Sequence, residues 1–149
     1  WGGKMGKMPY IHKKSRLKFE TWKEIYLEGA KFSNQNKPVE AVKKLTSING
    51  VGPSFATKHL KFWSKKYPIL DSRISIILSG NKKLLNKADY STFLILITKL
   101  AKVFNTNIIE TEKAVFAFSQ NFFPNENLVL YKTIEDLTDF EIAKKISEL

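Results

Sequence analysis

The chain contains no cysteine. Within it, that excludes a disulfide, a thiolate nucleophile, Cys-ligated zinc and an iron–sulfur cluster. Histidine is almost as scarce. His12 and His59 are the only two, too few to build a metal cage. No apolar run approaches the roughly 18 residues of a membrane-spanning helix. The Lys-rich start is followed by no apolar stretch of the kind that a secretory leader needs. These absences predict a cytoplasmic protein with no membrane contact, associated with the nucleoid or its equivalent. Acids are also in short supply, 14 against 25 Lys and Arg, for a net charge of +11.

The distribution of that charge is more telling than its sum. Residues 1–109 hold 21 Lys and Arg against 6 acids, whereas residues 110–149 hold 4 against 8. A chain so polarised presents a basic body and an acidic end. Phosphate backbone is the natural partner of the basic part, so DNA is expected. A plainer source of the excess is a lysine-rich composition, since Lys, Asn, Ile and Phe are all frequent. The acidic stretch Glu135–Leu149 suits docking of a partner protein.

What the chain does have is apolar content of 43%, with 11 Phe, 5 Tyr and 3 Trp, enough for one domain with a core. The periodicity is helical throughout. Residues 1–14 read as a basic arm, and residues 15–149 as a single domain. Phe19, Trp22, Ile25, Tyr26 and Ala30 recur at helical spacing until Asn34-Gln35-Asn36 breaks the pattern. Pro38 opens a second helix carrying Val39, Val42 and Leu45. Pro53 opens a third, with Phe55, His59, Phe62 and Trp63 on one face. Asp71 or Ser72 caps a fourth that carries Ile74, Ile77 and Leu78 and closes at Gly80. A fifth runs from Tyr90 to Phe104, with Phe93, Leu94, Ile97, Leu100, Ala101 and Phe104 inward, and a sixth from Ile108 to Gln120. Trp22, Trp63, Phe116, Phe118, Phe122 and Phe123 are expected mostly in the core. Val129–Lys132 suits a short extended piece, and a last helix starts near Thr133 or Thr138, each of which opens a capping box. The expectation is an all-α, compact, two-lobed fold of six or seven helices.

Two short segments carry the chemistry. In the first, Leu45 to Ala56, the sequence Ile48-Asn49-Gly50-Val51-Gly52 joins two helices. Its glycines allow a positive φ and a close approach of another backbone. The amides of Gly50, Gly52, Ser54 and Phe55 lie at or near a helix N-terminus, where free N–H groups and the helix dipole favour an anion. A phosphate held there fixes register and reads no base. An ordinary helix–helix turn would want the same glycines. Lys43, Lys44, Lys58, Lys61, Lys65 and Lys66 surround the segment. The second, Tyr67-Pro68-Ile69-Leu70-Asp71-Ser72-Arg73-Ile74, places the only acid between Glu40 and Asp89 just after a proline turn. A fixed carboxylate can stabilise the positive charge that builds on a sugar as a glycosidic bond breaks, or activate the attacking water. It can equally be a helix cap.

Together these segments resemble the helix-hairpin-helix DNA glycosylase superfamily, over Leu45 to Gly80, about a quarter of the chain. Gly50-Val51-Gly52 matches the glycine core of that family's hairpin, with Ile48-Asn49 in place of Leu-Pro. Tyr67-Pro68-Ile69-Leu70-Asp71 looks like the loop before the catalytic Asp, especially in the adenine-DNA glycosylase version. The resemblance implies an all-α fold with hairpin and Asp at a cleft that takes a flipped-out base. It implies that Asp71 is the catalytic carboxylate and that Gly50, Val51, Gly52, Ser54 and Phe55 meet DNA. Lys61, among the flanking lysines, is expected to face the same partner, and Arg73, directly after the loop, either grips a phosphate or faces solvent. It also implies that the backbone carbonyls of Thr46, Ile48 and Val51 can hold a structural K+ or Na+. No other cofactor is expected, and the protein is expected to be a monomer.

This sequence departs from the pattern in three places. Bifunctional members carry an attacking lysine where this chain has Ser54, which implies base removal without strand cleavage. The 17 residues from Ser54 to Asp71 are slightly fewer than usual in the family. The missing cysteines exclude the branches with an iron–sulfur cluster and leave the clusterless ones, such as the 8-oxoguanine and alkyl-base glycosylases. Lys58, one helical turn beyond Ser54, matches a position that lines the base pocket in the 8-oxoguanine branch. It is a candidate amine nucleophile, a pocket residue or a phosphate contact. Members of the family are usually longer, which implies a further domain or partner outside this chain. The rival expectation is a non-catalytic helix-hairpin-helix DNA-binding module.

Overall fold

A computed structural model describes residues 17–79 and 90–122. The expected basic arm (1–14), the closure at Gly80, the short extended piece, the last helix and the acidic end all lie outside those residues. The described residues form six helices and no strand, so the chain is all-α there. They are α1 (Phe19–Asn34), α2 (Pro38–Thr46), α3 (Pro53–Trp63), α4 (Ser72–Ser79), α5 (Tyr90–Val103) and α6 (Ile108–Phe122).

Each boundary has a local cause. Asn36 ends α1 in the left-handed region at φ 59°. Its N–H donates to Ser33 O, and the Lys37 N–H to Phe32 O, so asparagine fills the role that glycine usually takes in a Schellman motif. Asn105 repeats this after α5 at φ 49°, with Asn105 N–H to Lys102 O and Thr106 N–H to Ala101 O. Asn107 then starts α6, its Oδ1 accepting from the amides of Ile109 and Glu110, both at 3.0 Å. Pro38 and Pro53 sit in the first turns of α2 and α3, where a missing N–H costs nothing.

The first three helices pack on one another, α6 packs on α4 and α5, and α2 meets α5. One apolar core runs through both groups, from Val42, Leu45, Ile48 and Leu60 to Ile74, Leu78, Phe93 and Ile97. Each fully buried side chain of this kind contributes about 1.5–3 kcal/mol relative to exposure. Gly29 lets α1 come close to α3. A Cβ there would stand 3.1 Å from the Trp63 ring and 3.4 Å from Leu45 Cγ.

Four phenylalanines among the described residues face out: Phe104, expected inward, Phe116, expected in the core, and Phe19 and Phe62, expected only to share the helical spacing of their neighbours. Phe62 is 77% exposed. Phe62 lies at the edge of the arc that Phe55, His59 and Trp63 share, and α1 covers only the centre of that arc. Phe118, Trp22 and Trp63 pack against the core as expected. No single helix among the described residues is long and apolar enough to cross a membrane.

Candidate nucleic-acid interface and catalytic carboxylate

The turn between α2 and α3 is tight. Ile48 O accepts the Val51 N–H at 2.9 Å, and Gly50 takes φ 95° to reverse the chain. Ile48 and Val51 are buried, which anchors the turn from below. Gly52 is the residue before α3, in extended backbone at φ −88° and ψ 170°. A Cβ on Gly52 would meet nothing within 4 Å among the described residues. Neither its own conformation nor its neighbours among the described residues require glycine there.

The amides divide in a definite way. Phe55 N–H donates to Gly52 O at 3.0 Å, within the first turn of α3, so it drops out of the set expected to meet a phosphate. Among the described residues the N–H groups of Gly50, Gly52 and Ser54 find no partner in the chain. Of the three carbonyls expected to face a cation, that of Ile48 already accepts the Val51 amide and keeps one lone pair. The Thr46 hydroxyl is turned back into α2, donating to Val42 O at 2.9 Å.

Asp71 caps α4. Its Oδ1 accepts from Arg73 N–H and Ile74 N–H, both at 3.0 Å, and its carbonyl accepts from Ser75 N–H at 2.9 Å. Between the two caps open to the sequence, Asp71 and Ser72, the structure selects Asp71. Its Oδ2 has no hydrogen-bond partner among the described residues. The loop that delivers it is tied at two points. Tyr90 O–H donates to Pro68 O at 2.8 Å, and Leu70 N–H donates to Thr57 Oγ1 at 3.1 Å. Burial pushes the Tyr90 phenol far above its ordinary value, and the charges of Tyr67 and Glu112 add to the effect, so it remains a donor.

The surrounding lysines fall into two groups. Lys44 pairs with Glu28, Lys61 with Glu112, and Lys66 donates to Asn36 Oδ1 while its ammonium lies 5.2 Å from the Tyr67 ring centre. Lys61, expected against DNA, is thus held inward by a carboxylate on α6 whose side chain is 8% exposed. Lys43, Lys58 and Lys65 are in no ion pair among the described residues. Arg73 is half-buried at the start of α4.

Lys58 lines a cavity of about 690 Å³ beside α3, with Tyr26, His59, Lys61, Phe62, Lys65 and Ile69. Asp71 is not among the lining residues. The cavity wall is held by an aromatic stack. Phe55 and His59 lie 4.7 Å apart, Tyr26 meets Trp63 edge-on at 4.7 Å, and the Tyr26 hydroxyl is 3.1 Å from His59 Nδ1. Burial lowers the His59 pKa, which favours the neutral ring and suits a structural role.

Sequence reasoning missed Thr57, Tyr90 and Glu112. Tyr90 carried a signal, since a tyrosine opening so apolar a helix needs a buried partner for its hydroxyl. Thr57 and Glu112 carried none, because their partners lie 13 and 51 residues away in the chain. Comparison with protein-family models, with characterised proteins and with solved structures finds no match to this chain.

Proposed function

We propose that this chain is a DNA N-glycosylase, a hydrolase that removes a modified or mispaired base and leaves the strand uncut. The observation that carries the reading is how Asp71 is held. One carboxylate oxygen is fixed by two amides and the other is without a partner among the described residues. The loop bearing it is bonded to α3, and the N-terminus of that same helix offers the amides of Gly52 and Ser54, which have no partner among the described residues. A phosphate seated on those amides would stand in fixed register with the carboxylate. On this reading α2, the glycine turn and α3 are a helix-hairpin-helix, and the described helices are part of a two-lobed fold.

In the reaction, water adds to the sugar C1′ as the C1′–N bond breaks, and the departing base takes up a proton. Positive charge builds on the sugar. A fixed carboxylate stabilises it, or accepts the proton that the attacking water gives up. Ser54 has no amine to form a Schiff base, which supports a monofunctional enzyme.

The test is a panel of duplex oligonucleotides carrying modified or mispaired bases, treated with wild type and with Asp71→Asn, with and without alkali. Asparagine keeps the capping oxygen and removes the charge. The expected result is base loss that needs alkali for strand breakage and disappears in the variant. Breakage without alkali would assign the nucleophile's role to Lys58. Base loss undiminished in the variant sinks the assignment of Asp71.

A second reading, a DNA-binding module without chemistry, is favoured by two observations. The cap accounts for Asp71 structurally, and Asp71 does not line the cavity. Tight binding by both proteins with no base loss on any substrate selects it.

A further inference from the structure

The cavity beside α3 has an unusual lining. Its lysines are not equivalent, because Glu112 neutralises Lys61 while Lys58 and Lys65 have no ion-pair partner among the described residues. Between these two in sequence stands Phe62, 77% exposed on a wall otherwise built from packed aromatic rings. This sets an exposed phenyl ring between two cations that have no ion-pair partner among the described residues. The arrangement fits a ligand that alternates flat rings with negative charges. The volume, about 690 Å³, lies in the range of sites that enclose a small organic ligand or a nucleotide.

We propose that this cavity seats an unstacked base of a nucleic-acid strand, the base lying on Phe62 and the flanking phosphates held by Lys58 and Lys65. Stacking on an aromatic face accepts any base, and cations along the groove follow the backbone. Of the lining residues other than the lysines, Tyr26 and His59 bring the only polar side chains, and the Tyr26 hydroxyl is bonded to His59 Nδ1. Binding here is therefore indifferent to sequence and dependent on the presence of a base. Lys61 serves the site indirectly, by keeping its stem in the wall while its charge is cancelled. This inference rests on the nucleic-acid reading given above, and needs no chemistry at Asp71.

The test compares two fluorescein-labelled single strands of equal length, an oligothymidylate and a fully abasic strand, by anisotropy. Both carry the same phosphates, and only one carries bases. Phe62→Ala is expected to weaken the oligothymidylate roughly tenfold and to leave the abasic strand unchanged. Phe62→Trp is expected to restore the difference. Lys58→Gln and Lys65→Gln should weaken both strands and reduce the salt slope by roughly 0.7 for each lysine. Because Phe62 is exposed, these variants fold, and circular dichroism verifies it. If wild type discriminates between the strands and Phe62→Ala does so equally well, the cavity inference is overturned while the DNA-binding reading stands. If wild type binds neither single strand nor duplex, both fall together.

Discussion

Thr57 holds Leu70 by its side chain: the Leu70 amide donates to Thr57 Oγ1 at 3.1 Å, while the one hydroxyl proton of Thr57 has two acceptors in reach, Ser54 O at 3.3 Å and Leu70 O at 3.4 Å. Both residues are fully buried, so neither backbone group has water as a substitute. Thr57→Val keeps the shape and removes the acceptor, leaving a buried N–H unsatisfied. The expected loss is about 1–3 kcal/mol of stability in urea unfolding. Thr57→Ser should recover most of it. A valine variant as stable as wild type would show that the loop does not depend on this bond.

The two glycines of the turn should separate folding from binding. Gly50→Ala forces a side chain into φ 95° and is expected to cost more than about 1 kcal/mol. The Cβ of Gly52→Ala meets no atom of the described residues, and the φ of −88° suits alanine. The variant's stability should match wild type or rise by up to about 1 kcal/mol. Its affinity for duplex DNA, read by anisotropy, should fall, because the added methyl would stand in the path of a phosphate. Unchanged affinity would remove Gly52 from the interface.

The Lys61–Glu112 pair joins α3 to α6, with side-chain exposures of 25% and 8%. Lys61→Met leaves a carboxylate nearly buried and alone, and about 3 kcal/mol of destabilisation is expected. Adding Glu112→Leu should return most of that, since a well-packed apolar pair often replaces a buried ion pair without loss. The double-mutant cycle reads the coupling directly. Additive single effects would mean the pair contributes little.

His59 predicts a pH dependence with a definite sign. Burial lowers its folded pKa below the ordinary 6.5, so the unfolded chain binds the proton more readily. Its contribution is complete above about 6.5 and is lost as pH falls through the lower folded value. The melting temperature should therefore drop between about pH 7 and pH 5, before carboxylates titrate. His59→Gln should flatten that part of the profile. A drop of the same size in the variant would assign it to another group.

The helices were legible in the sequence because their punctuation is local. Pro38 and Pro53 announce first turns, Asn34 to Asn36 announce a break, and Asp71 stands where a cap belongs. The expected spans of α5 and α6 differ from the observed ones by no more than two residues at an end. What periodicity could not settle is which edge of an amphipathic arc is covered. Phe55, His59, Phe62 and Trp63 share one arc of α3, yet α1 leaves Phe62 bare. Nor could it reveal which lysines are free. Lys58, Lys61 and Lys65 look alike in sequence, and only the fold brings Glu112 to one of them. The loop before Asp71 was visible as a loop, whereas its suspension from Thr57 and Tyr90 depends on contacts across the fold.

That suspension has a mechanical consequence. The peptide run from Pro68 to Leu70 hangs from hydroxyls on two different helices, like a bridge deck from two towers. A slight tilt of α5, caused by a packing fault anywhere along its core face, is transmitted through one phenol oxygen to the carbonyl three residues before Asp71. Distance along the chain gives no shelter from this. Damage to the helix that begins at Tyr90 would reach the aim of that carboxylate through the same oxygen.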